Sequence, residues 1–186
     1  MKIDRRLNLV IPHEQADGSI CYIHSMPITT ETFNQHFEVL AQTWSQITTD
    51  YGAASGPRIA AMLLRKIAGE RGAMEGPLGV NRGLLAEIRR LTMVIMPRGS
   101  NSASLMLDEA IQQGVLSAED ADIVENALVF FTCVSCMVSG KRRIVWLETM
   151  CSLWDAQTSS LNSTDFATSL PMSIETDNSG EKPKAA

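Results

Sequence analysis

The residues able to do covalent, redox or metal chemistry here are four cysteines, three histidines and some clustered carboxylates. Cys133-Val-Ser-Cys136 has the spacing of a redox pair or of half a zinc site, but a structural zinc needs further thiols or imidazoles close by. His13, His24 and His36 all lie far upstream. Redox pairs of the thioredoxin type open a helix, whereas this pair sits within the apolar run Val129–Val138. The cysteines, with Cys21 and Cys151, therefore read as small core hydrophobes, redox and metal roles being the alternatives. His13-Glu14 reads as a solvated loop dipeptide. Glu119, Asp120, Asp122 and Glu125 crowd the start of a helix, where the dipole favours anions. Lys141-Arg142-Arg143, with Arg89 and Arg90, reads as solvated helix surface rather than a nucleic-acid patch. No metalloprotease, nucleophile-elbow, dinucleotide or calcium-loop motif is present. Gly72-Ala-Met-Glu-Gly-Pro-Leu-Gly79 lacks the Lys-Ser/Thr of a phosphate cradle. Asn162-Ser-Thr164 is a glycosylation sequon by letters alone. No catalytic or cofactor site is expected, which points away from an enzyme.

The elements that would position these residues follow from periodicity. Leu7–Ile11 and Ser19–His24 are β-rich runs joined by Asp17-Gly18, a strong hairpin signal. From Pro27 the period becomes helical. Thr29 or Thr30 caps a helix whose Phe33, Phe37, Leu40, Trp44, Ile47 and Tyr51 form one apolar stripe, with His36 on another face. Ser55-Gly-Pro57 opens a second helix with Ile59, Met62, Leu63 and Ile67 as its face, ending at Gly69 and Gly72. A third is expected over about Val80–Met96, stopped by Pro97, then a loop Arg98–Ser102 and a short helix over Ser104–Gln113, closed by Gly114.

Ser117-Ala-Glu-Asp120 resembles a capping box opening a helix that is apolar nearly all round from Ala127 to Val138, and so central. A last helix after Gly140 carries two stripes: Ile144, Leu147, Cys151 and Trp154, then Trp146, Met150 and Leu153. Residues 155–186 hold ten Ser or Thr against five acidic and two basic side chains, and their far end reads as disordered.

The expected fold is mainly α (α+β): a bundle of five to six helices with an N-terminal β-hairpin and a disordered C-terminal tail. Its divisions are residues 1–28 for the hairpin, 29–157 for the helical domain, 158–172 for a docking segment and 173–186 for the tail. The chain has 186 residues, 45% hydrophobic, with 16 basic and 21 acidic side chains. That length suffices for a core without staples. The net charge of −5 argues against broad affinity for nucleic acid or anionic membrane. No secretory leader or spanning run is apparent. What remains in excess is apolar helix surface, the usual mark of a partner.

Five stretches, in order, carry a resemblance: Leu7-Asn-Leu-Val-Ile-Pro12 with its Asp17-Gly18 turn, Gly56-Pro-Arg-Ile-Ala-Ala-Met-Leu-Leu64, Gly83-Leu-Leu-Ala-Glu-Ile-Arg-Arg-Leu91, Glu125-Asn-Ala-Leu-Val-Phe-Phe-Thr132 and Leu153-Trp-Asp-Ala-Gln-Thr-Ser-Ser-Leu161. Over residues 1–172 the pattern resembles the tail assembly chaperones of long-tailed bacteriophages. The resemblance implies a late, non-enzymatic protein of the host cytoplasm. Such a protein keeps the tape measure protein soluble, yields to polymerising tail tube protein and is missing from the mature virion. It also implies a longer frameshifted form of the chain as a partner. The large side chains Phe37, Trp44, Trp146, Met150 and Trp154 are the expected client contacts. Self-association is expected from the hairpin edge and the doubled stripe. The alternative is a small structural protein of the virion, such as a tail completion or connector component.

Overall fold

A computed structural model describes residues 2–4, 6–15, 18–98, 101–138, 145, 146, 149 and 159–161. The hairpin forms as its turn chemistry dictates. Strand β2 (Leu9–Glu14) and strand β3 (Ile20–Ser25) pair antiparallel, and Gly18 takes a φ of 80°, which only a residue without Cβ adopts freely. Strand β1 (Lys2–Asp4) adds antiparallel to β2.

Helix α1 (Thr30–Gln46) begins where the Thr29 hydroxyl accepts from the Thr32 amide at 3.2 Å. It runs into a π-helical turn, Ile47–Tyr51, and a 3₁₀ turn, Ala53–Ser55, before α2 (Gly56–Glu70). A second π-helical turn, Val80–Leu85, leads into α3 (Ala86–Arg90). Strands β4 (Thr92–Arg98) and β5 (Asn101–Met106), helix α4 (Leu107–Gln112), helix α5 (Ala118–Met137) and strand β6 (Ser159–Leu161) complete the order.

The six strands make one sheet in the order β5-β4-β3-β2-β1-β6, with β6 parallel to β1. Register lines up Ile11, Ile23, Val94 and Leu105 as one apolar row across four strands, all in or against the core. Among the described residues, five named α-helices with the N-terminal hairpin give the mainly α, α+β architecture anticipated.

α5 is the centre. Val124, Ala127–Val134 and Ser135 are buried, and α2 and α1 pack on it. Gly56 marks how close α2 comes: a Cβ there would lie 2.4 Å from Cε2 of Phe130. The Asn126 carboxamide oxygen accepts from the Ala61 amide at 2.9 Å, tying the same two helices. Ser117 and Asp120 form the capping box at the head of α5, as the spacing predicts. No helix among the described residues is long and apolar enough to cross a membrane.

Several sequence expectations are corrected. The helix expected over Val80–Met96 ends at Arg90, and the chain turns into the sheet. Thr92 is the reason: its buried hydroxyl donates to the Ile88 carbonyl at 2.8 Å and lies 2.9 Å from the Ser25 hydroxyl of β3. The β-branched Thr92, Val94 and Ile95 then favour the strand. Pro97, expected as a helix stop, sits in β4 opposite Ser102, and Arg98 and Asn101, expected in a loop, pair across β4 and β5. The helix expected from Ser104 starts only at Leu107, though Gly114 ends that region as anticipated, with a φ of 71°.

The face of α1 is also rotated. Its buried line is His36, Val39, Leu40, Thr43 and then Ile47, while Phe37 and Tyr51 stand half in solvent. The π turn shifts the phase, because its i→i+5 bonding puts Tyr51 off the face of Ile47. On α2, Met62 is outward and Ala60, Ala61 and Leu64 face inward beside Leu63 and Ile67. The hairpin is interior, since β1 and β4 cover its two sides. The doubled stripe after Gly140, apart from Trp146, lies outside the described residues. So do Lys141–Arg143, the sequon, the docking segment beyond 159–161, and the tail 173–186.

Candidate interaction surface

Helix α1 presents two flanks on either side of its buried line. On one, Phe33 and Phe37 meet edge to face, centroids 5.7 Å apart, and Trp44 follows two turns further on. Trp44 packs at 6.3 Å against Phe130 of α5 and at 6.2 Å, edge on, against Trp146. Phe130 is buried and fixed by Gly56, so Trp44 rests on a rigid floor. Phe37 is 49% and Trp146 40% exposed. Of the five expected contact residues, Phe37, Trp44 and Trp146 thus fall on one flank, while Met150 and Trp154 lie outside the described residues. Aromatic rings in such an array offer large apolar area with few rotatable bonds.

The opposite flank is polar. Glu38 and Gln42 hold Arg71 at 2.6 and 2.8 Å, and Gln35 reaches the Leu78 carbonyl. Between this flank and residues 71–79 lies an open groove of about 840 Å3. His36 lines it and packs so closely on Gly83 of the second π turn that a Cβ there would sit 2.7 Å from its Nε2. That nitrogen is buried with no hydrogen-bond partner, and burial pushes the imidazole pKa down.

Two polar clusters escaped the sequence reading. Glu125, expected among first-turn carboxylates, is buried and takes ion pairs from Arg65 of α2 and Arg89 of α3, whose Nε lies 3.0 Å away. Arg89 also reaches Asp108 at 3.6 Å. Arg89 is thus tied into an ion-pair network while still over a third exposed, and Arg90 stays exposed and pairs with Glu87 at 2.7 Å. Leu128 and Val129, one turn further along α5 on the buried face, were the available signal.

His13, expected in a solvated loop, is in β2 directly opposite Cys21, with Asp120 Oδ1 at 3.0 Å from its Nε2. The types of a nucleophilic triad are thus near one another, with the thiol placed by strand register and only the imidazole and carboxylate in contact. The electrostatics run the other way. Cys21 is wholly buried, and desolvation, with Asp120 nearby, pushes its thiol pKa up, away from the reactive thiolate. Asp120 is held below the usual carboxylate range by the Ser117 hydroxyl above all, then by His13. Burial likewise raises the Cys133 thiol, with the nearby Cys136 thiol adding to the shift. Among the described residues no three His, Cys, Asp or Glu groups converge as for a metal ion.

No protein-family model matches the chain, and neither a curated protein nor a solved structure matches it.

Proposed function

We propose that the chain is a non-enzymatic assembly chaperone of the phage-tail type, which holds the tape measure protein in the host cytoplasm until tail tube subunits replace it. The observation that carries this reading is the aromatic flank of α1: Phe37 and Trp146 are part exposed, beside a Trp44 braced by the core. The segment resemblance supports it. A rigid apolar array on one helix flank suits the greasy side of a long client helix. Many identical copies of modest affinity would hold such a rod collectively and still release it to a polymerising tube.

Co-expression with a tape measure protein tests this. The client is expected to become soluble and to co-purify. Joint Phe37→Ser and Trp146→Ser substitution should abolish co-purification while the chain still folds, read as an unchanged circular dichroism spectrum, because both side chains lie at the surface of the core. An insoluble client in the presence of wild-type chain, or unaltered capture by the double variant, refutes the reading. Recovery of the chain from purified particles at fixed copy number would instead make it a tail completion or connector component.

A further inference from the structure

The sheet ends differently on its two sides. At one end β6, drawn from far along the chain, lies against β1; at the other, β5 pairs with β4 through all six of its residues, and no described strand covers its outer side. Natural edge strands are normally protected by charge, proline, bulges or brevity. β5, Asn101-Ser-Ala-Ser-Leu-Met106, has no charged residue and no proline, and its register with β4 is unbroken.

We propose that β5 pairs antiparallel with β5 of a second copy about a two-fold axis, joining the two sheets into one. The pairing is independent of which partner the aromatic flank takes. An axis normal to an antiparallel pair passes between two directly opposed residues. A symmetric register must therefore set one residue against itself. Centring on Ser104 places Ala103 opposite Leu105 of the second copy, on the side that carries Ile11, Ile23 and Val94. The apolar row then continues across the axis as a large side chain beside a small one. Centring on Ala103 would set Leu105 against Asn101 instead. The exposed Ser104 faces its own copy on the other side of the sheet, a neutral pair with no repulsion.

Sedimentation velocity on the full chain should show a concentration-dependent dimer. Ser104→Lys sets two ammonium groups opposite each other and should weaken the dimer at least tenfold, with circular dichroism unchanged; Ser104→Thr should keep it. Hydrogen exchange should show residues 101–106 gaining protection as the dimer fills. A strict monomer at high concentration, a dimer unaffected by Ser104→Lys, or a dimer forming without added protection at 101–106 each overturns the proposal.

Discussion

Glu125 offers the sharpest test of the packing around α5. Its side chain is 6% exposed, against 36% for Arg65 and 37% for Arg89. Glu125→Gln keeps the shape and one acceptor oxygen but removes the charge. Hydrogen bonds to charged groups contribute about 1.5–3 kcal/mol and neutral ones about 0.5–1.5. Of the three hydrogen bonds from the two arginines, those to the remaining oxygen are weakened and those to the other side are lost to an amide that cannot accept; with both guanidiniums able to rehydrate, a loss of about 2 kcal/mol is expected. Glu125→Ala additionally leaves two guanidiniums facing each other, and removal of one partner from a buried pair costs about 3–5 kcal/mol. Both arginines are over a third exposed and can rehydrate, so about 3 kcal/mol is expected. With a urea slope of about 2 kcal/mol/M, the midpoints should fall by about 1 M and 1.5 M. A carboxylate that merely complements the helix dipole would give 0.3–1 kcal/mol, or at most about 0.5 M. A fall below that for Glu125→Ala would refute the bridging role of Glu125 between α2 and α3.

Two further outcomes are expected. Gly56→Ala forces a methyl group against the Phe130 ring and should destabilise by about 1–3 kcal/mol, read as a lower thermal midpoint, unlike Gly114→Asn in its open turn. Burial depresses the His36 pKa, so the unfolded chain binds a proton that the folded chain resists; stability should drop as pH falls below the unfolded value of about 6.5. His36→Leu should flatten that part of the stability–pH curve, and an unchanged slope in urea titrations from pH 7 to 5 would contradict it.

Where a local rule and the tertiary outcome agree, the sequence was readable. Asp17-Gly18 announced the hairpin, Ser117 with Asp120 the head of α5, and Ala127–Val138 a central helix. It misled where two periods overlap. Ile88, Leu91 and Ile95 fit a helix, but the unit that decides is Thr92, whose hydroxyl finds Ser25 of β3, a pairing no local window contains. Phe33, Phe37 and Trp44 lie within the regular part of α1, and they stand beside the buried line because Gly83 provides the space that lets His36 turn inward; only Tyr51 is moved off the stripe by the π turn. The aromatic flank is large and periodic, as a core stripe would be, yet Phe37 and Trp146 are surface. Glu125 was hidden because its cationic partners lie 60 and 36 residues away.

Ser25 and Thr92 are joined by a hydrogen bond spanning 67 residues. At a synthesis rate of about 5–20 residues per second, the first hairpin leaves the ribosome some 3–13 s before its neighbour exists. Throughout that interval the nascent ribbon has amides and carbonyls that nothing in its own polypeptide can yet satisfy, and adjacent polysome-borne copies offer the same unfilled groups. Translation speed between codons 26 and 92 thus becomes a determinant of yield, and slowing it should favour mispaired, insoluble product.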